Sequence, residues 1–284
     1  MKIPRLLLTL GLAFGALAPL SAHEVVGMQM YSVRALAKEN VDQAFAQVHQ
    51  WGIKEVELAG LYGLTAEQMR DKLAQYDLKA VGAHFGYEVL QSSLDEVIRE
   101  ARVLNVKYVV CPWLQHSARP FDKDYALEVA KNFNLWGLKL NEQGIKFGYH
   151  THGFEFTPIP GGNGDTPFDV LVQNTDPKFV TFEMDVFWVW SSGADPFALL
   201  KRYPDRWSLA HLKDMRKGDA RDLHGAAKVE QNVSIGDGQV PWPALLKDLG
   251  KHGVHHLLIE DETADPMKNI PTSLQYLASI GYRP

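Results

Sequence analysis

Eight short apolar runs alternate with amphipathic stretches along this chain, and the alternation predicts an α/β protein, a single-domain (β/α)₈ TIM barrel. Three observations carry that expectation. The strand–helix unit recurs at about 30 residues, which suits eight units in ~250 residues. Setting aside residues 1–22 leaves 262 of 284 residues, close to that length. Several runs also end in His, Asp or Glu, as a barrel needs if its site is built at the C-terminal ends of its strands.

Residues 1–22 read as a secretory signal peptide, with the barrel spanning 23–284. Lys2 and Arg5 give a positive start, residues 6–20 are apolar, and Ser21 and Ala22 precede the polar His23 and Glu24. The run is shorter than the ~20 apolar residues of a membrane span, so no membrane partner is expected after cleavage. The expected location is the periplasm or outside the cell.

The barrel then unfolds in order. Residues 25–30 form the first strand, and Phe45, Val48 and Trp51 mark a helix stopped by Gly52. Residues 54–59 form the second strand, and Thr65 caps a helix with Glu67 and Gln68 in its first turn. Strands over 80–83 and 106–111 flank a helix over 94–104, and a long helix covers 125–141. Residues 146–149, 179–184, 207–212 and 255–259 are the last four strands. A helix is expected near 168–172, and Asp195-Pro196, Pro241-Trp242-Pro243 and Asp265-Pro266 each start another, with proline in the first turn. The charged, irregular stretch 216–237 is long enough to be functional and reads as a lid over the barrel mouth.

Charge and cysteine usage narrow the function. Losing Lys2 and Arg5 moves the formal charge from −5 to −7. A mildly acidic surface argues against a nucleic-acid partner. The single Cys111 cannot form an internal disulfide, so stability must come from core burial, and a buried small hydrophobe is its expected role.

Four ligand-grade residues fall at or just beyond the ends of strands five to eight: Glu155, Asp185, His211 and Glu260, at separations of 30, 26 and 49. Consecutive barrel strands bring their ends to one rim, so these four can converge on one divalent metal. Three carboxylates and an imidazole favour Mn²⁺, with Mg²⁺, Zn²⁺ and Co²⁺ as alternatives. Glu183 competes with Asp185 on the same face of its strand, and Glu262 competes with Glu260. Glu57 is either a mouth carboxylate or a helix-cap partner.

The motifs F-G-Y-H-T-H-G-F-E-F, E-M-D-V-F-W, H-L-K-D-M-R, G-D-G-Q-V-P-W and L-L-I-E, with the opening G-M-Q-M-Y-S-V-R, together resemble the xylose isomerase-like superfamily. Within it the chain is similar to sugar isomerase/epimerase-type proteins such as inosose dehydratase and tagatose 3-epimerase. The resemblance runs from Gly27 to the last helix. It implies the same four metal ligands, with Glu155 and Glu260 as the acid/base pair flanking a substrate carbon. It also implies that His150 contacts substrate and that Arg216 clamps a substrate oxygen. His84 and Lys213 join them as expected substrate-binding residues, and Trp113 and Trp188 as apolar walls. Trp188 stands where epimerase-like members carry a substrate-gripping histidine.

The implied activity is metal-dependent isomerisation or epimerisation of a sugar or keto-sugar through an enediolate, and the expected export points to a free rather than a phosphorylated one. The alternative on the same site is a lyase or dehydratase acting on a keto-sugar or keto-glycoside. An endonuclease IV-like nuclease and a non-catalytic sugar binder are the remaining readings. The partner is a small-molecule sugar, and homo-oligomerisation is left open.

Overall fold

The computed structural model describes residues 25–284. The signal-peptide reading therefore lies outside the described residues. Eight parallel strands close into a barrel: β1 (Val26–Gln29), β2 (Glu55–Leu58), β3 (Lys79–His84), β4 (Tyr108–Cys111), β5 (Lys146–His150), β6 (Val180–Asp185), β7 (Trp207–Leu212) and, after a short ribbon, β10 (His256–Ile259). Neighbours in sequence are neighbours in the sheet, and β10 closes the ring by pairing with both β7 and β1. The ribbon is β8 (Asp214–Met215) against β9 (Asn232–Val233), antiparallel.

Local chemistry explains the helices. Thr65 and Gln68 form a reciprocal capping box at the start of Ala66–Gln75, and Asp122 caps Lys123–Asn141. Proline occupies the first turn of Pro196–Arg202, Trp242–Lys251 and Pro266–Ser279, where its missing N–H costs nothing.

The main core lies between barrel wall and helices, where Phe133 and Trp136 meet Phe147 and Tyr149. A smaller apolar cluster of Val81, Leu209 and Leu258 is separate from it. Leu209 and Leu258 lie one pleat before His211 and Glu260 on their strands, so the polar residues above rest on an apolar plug.

The stretch 216–237 is not a lid. It folds back as a strap from the β8–β9 ribbon, and Arg221 donates to the carbonyls of Trp190 and Ala194 while stacking 3.9 Å over the Trp190 ring. None of its residues lines the cavity at the barrel mouth. Its role is indirect: Asn232 accepts from the Glu262 backbone N–H at 2.9 Å and so fixes the chain just beyond β10.

Candidate metal centre

Six strands aim ionisable side chains at the C-terminal end of the barrel. Glu57 comes from β2, His84 from β3, His150 from β5, Glu183 and Asp185 from β6, and His211 from β7; Glu260 follows β10 directly. Register explains the convergence, because His150 pairs with Glu183 and Asp185 with His211 across adjacent strands. Two overlapping sets result, His84–His150–Glu183–His211 and His150–Asp185–His211–Glu260, each with its ligand-grade atoms within 4.8 Å of one another.

The second set carries one residue from each of four consecutive barrel strands. Asp185 does two things in it. Its Oδ1 accepts from the Trp188 N–H at 2.9 Å, capping Val186–Ser191, while its Oδ2 is buried with no hydrogen-bond partner. The His150 Nε2 lies 4.0 Å from that oxygen, and the His211 Nδ1 lies 3.4 Å from Glu260 Oε2.

Three expectations need correction. Glu155 does not join the set. Gly153, at φ 93°, turns the chain after β5, and Glu155 sits in a short 3₁₀ turn, Phe154–Phe156. Its carboxylate accepts from the Tyr149 hydroxyl at 2.5 Å and from the His152 backbone N–H at 3.0 Å. His150, the last residue of β5, occupies the position expected for Glu155. Lys213 is fully buried and does not line the cavity; it is ion-paired with Glu262, with Glu260 at 3.5 Å and with Asp185 at 3.8 Å. Arg216, exposed just beyond β8, pairs with Asp219 at 3.1 Å and is also absent from the cavity wall.

That cavity holds about 410 Å³, with His84, His150 and Glu260 on its inner side and Trp113, Trp188 and Tyr31 among its walls. Glu262 and His152 add to its polar lining, and no Lys or Arg among the described residues lines it. Trp113 meets His152 edge-on at 4.7 Å, and Trp188 approaches the same ring at 5.7 Å.

Burial and charge set the protonation pattern. Burial pushes Asp185 up to about 8, against the pull of Lys213 and with a further push from Glu260. Burial also opposes ionisation of Glu260, but Lys213 and His211 outweigh it and hold that carboxylate well below its usual range. The same contest raises His84 to about 9, because Glu57 and Glu183 outweigh desolvation, and it raises His211 well above an ordinary histidine. Burial wins at His150 and His152, which are both pushed down; His150 and Lys213 deepen the effect at His152. A buried carboxylate oxygen without a donor is costly unless a cation meets it. Asp185 Oδ2 accepts no hydrogen bond and the Lys213 Nζ comes no nearer than 3.8 Å, so beside two imidazoles and Glu260 it fits a divalent ion.

Residues 45–280 match the model of the xylose isomerase-like TIM barrel family. The chain belongs to the xylose isomerase-like TIM barrel family. Among its family relatives, the inosose dehydratase of Clostridium perfringens is 25% identical over 269 residues, covering 85% of this chain and 88% of the relative. A sugar phosphate isomerase/epimerase structure from Parabacteroides distasonis superposes with a TM-score of 0.73 at 23% identity, covering 95% of this chain and 99% of that one. The IOLI protein, solved with a zinc atom bound, superposes at 0.67 with 15% identity, covering 90% of this chain and 96% of that one.

Glu57 and Glu183, which the sequence leaves open as a mouth carboxylate or cap partner and as a rival of Asp185, both belong to the centre, and His152 joins its cavity wall. Glu57 and Glu183 each sit between apolar neighbours inside a strand, and a charge so placed needs partners, which is the signal that could have found them. His152 lines the cavity wall from the turn after β5.

Proposed function

We propose that this protein is an exported, divalent-metal-dependent enzyme that moves a proton beside the carbonyl of an unphosphorylated sugar or keto-sugar. The observation that carries the reading is Asp185 Oδ2, buried without a hydrogen bond among His150, His211 and Glu260, beside a cavity walled by two tryptophans. Those four residues would hold the cation. With His150 in place of Glu155 the donors become two imidazoles and two carboxylates, which moves the preferred ion from Mn²⁺ alone toward Zn²⁺ and Co²⁺ as equals. A cation bound there supplies Lewis acidity toward a carbonyl or neighbouring hydroxyl, easing the build-up of negative charge on oxygen.

The chain's own groups do the rest. Glu260 and Glu262 both face the cavity, where an ionised carboxylate can take a proton from carbon and return it. Glu262 replaces Glu155 as the partner of Glu260. Both contact one Lys213 Nζ and so stand on the same side: return to the neighbouring carbon isomerises, and epimerisation would need a second donor across the cavity. Among the described residues no Lys or Arg lines the wall, so a phosphate would find no guanidinium or ammonium there, which favours a neutral sugar. Trp113 and Trp188 suit the apolar faces of a sugar ring. Export rests on the charged start, apolar run and small residues of the amino-terminal segment.

Dehydration is the second reading, favoured by the inosose dehydratase name of the curated relatives. In that course the proton leaves carbon to a carboxylate, the C–O bond one carbon further breaks, and the departing oxygen takes a proton from the His84 imidazolium at the cavity wall. Incubation with free sugars and keto-sugars in D₂O, with Mn²⁺, Co²⁺ or Zn²⁺, tests both. Deuterium beside a carbonyl supports enolisation, and product NMR separates epimer, isomer and unsaturated product. A full panel with neither exchange nor product would remove the proposal.

A further inference from the structure

We infer that Glu57 and Glu183 are positioning residues that hold the two histidine ligands from beneath, with His84 and Gln29 fixing the carboxylates in turn. The inference rests on the cation site proposed above. Each ring spends one nitrogen downward and presents the other upward. His150 Nδ1 meets Glu183 Oε2 at 2.9 Å while its Nε2 faces Asp185; His211 Nε2 meets Glu57 Oε2 at 2.8 Å while its Nδ1 faces Glu260. A neutral imidazole has a single N–H. Donating it to a carboxylate fixes the tautomer, orients the ring and leaves the other lone pair for a cation.

The backbone supports the same assignment. The barrel register shifts at two steps, between Val56 and Glu57 and between Phe182 and Glu183. Each irregularity immediately precedes one of the two carboxylates, and a shift of this kind re-aims the next side chain. Gly82 leaves the room Glu57 needs, since a Cβ there would lie 2.8 Å from Glu57 Oε1. Gln29 Nε2 donates to Glu57 Oε2 at 2.6 Å, and the His84 Nε2 lies 3.0 Å from Glu57 and 3.4 Å from Glu183, bridging the pair.

The rival use of these groups is a second cation bound below the first, since His84, His150, Glu183 and His211 also lie within 4.8 Å of one another and Glu57 Oε1 and Glu183 Oε1 lack donors. One fact favours positioning. The nitrogens that a lower ion would need are the ones already engaged by Glu57 and Glu183.

The test is Co²⁺ binding to the full chain after chelation, followed by calorimetry and by the visible d–d spectrum, for wild type, Glu57→Gln and Glu183→Gln. Expected are one ion per chain throughout, a 10–100-fold weaker affinity in each variant and an altered d–d band. Glu57→Asp and Gln29→Ala, which keep more of the network, should give smaller losses and cover the case in which a Gln variant does not fold. Wild type taking two ions, one of them lost in the variants, would assign the lower group as a metal site and overturn the inference. So would affinities within threefold of wild type. Wild type taking no ion would remove the cation site itself, an outcome separable from the failure of the positioning role alone.

Discussion

Replacing Glu155 by Gln should make the protein's stability less sensitive to alkali, and the size of the effect follows from the side chain's surroundings. Burial lifts this carboxyl from an ordinary 4.5 to about 7, although Tyr149 and the backbone N–H groups of the turn pull the other way. At 1.36 kcal/mol per pH unit, that displacement amounts to about 3 kcal/mol. Because the folded-state value is raised, the contribution is fully present below pH 4.5 and is lost as pH rises through about 7. The wild type therefore bears a buried charge at pH 8 that the Gln variant does not. At pH 5 both side chains are neutral and each offers one carbonyl oxygen, and Oε1 already accepts from both Tyr149 and His152, so the two proteins should differ by about 1 kcal/mol or less. The stability gap between the two proteins should thus shift by about 3 kcal/mol in the variant's favour between pH 5 and pH 8. Urea unfolding of the chelated proteins, followed by tryptophan fluorescence at half-unit pH steps, measures it, and all other titrations cancel in the difference. A gap constant within about 1 kcal/mol would refute the reasoning. Equilibrium dialysis on the same samples adds a second readout: the variant should retain as much Zn²⁺ or Mn²⁺ as wild type, and loss of the ion would restore Glu155 as a ligand.

Four further perturbations have defined outcomes. Asp185→Asn keeps an acceptor for the Trp188 N–H but removes a charge that burial pushes up to about 8, so the chelated form should melt no lower than wild type while ion binding falls by more than tenfold in calorimetry. Asp214→Ala strips the acceptor from the N–H groups of Met215, Gly236, Gly238, Val240 and the Trp242 indole, and should cost about 4 kcal/mol in urea; a loss under about 1 kcal/mol would mean the strap holds without it. Gly82→Ala crowds Glu57 and should destabilise by about 1–3 kcal/mol and weaken Co²⁺ binding, a silent substitution being the contrary result. Cys111 is buried and its thiol is pushed up to about 12, so it should ignore a disulfide reagent until guanidinium is added; labelling of the native protein within minutes would contradict that.

The barrel was legible because each strand is a local signal, an apolar run closed by a capped or proline-started helix; Thr65 with Gln68 and Asp265 with Pro266 do what their sequence pattern says. The centre was only partly legible, because ligand choice depends on where a strand stops. The stretch H-T-H-G-F-E offers three ligand-grade side chains within six residues. Nothing local says that β5 ends at His150, or that Gly153 then turns Glu155 back onto Tyr149. Arg216 and Lys213 were misplaced for a related reason: a long cationic side chain near a strand end can reach the mouth, the solvent or a buried carboxylate. Only the positions of Asp219, Glu260 and Glu262 decide among these.

Glu57 and Glu183 show the deeper limit. Each lies on a strand whose alternation is readable, yet the register shift beside each is a property of pairing with the neighbouring strand, β2 with β3 and β6 with β7. Strand pairing is non-local, so the shift leaves no mark in either segment alone. What the sequence does show is a charge inside an apolar run, E-V-E-L and T-F-E-M-D. In a closed barrel such a charge points either into the helix layer or toward the axis, and the helix layer here is packed with aromatic and aliphatic side chains that offer it no partner. The axis, with two imidazoles to hold, is the remaining place where both carboxylates find partners.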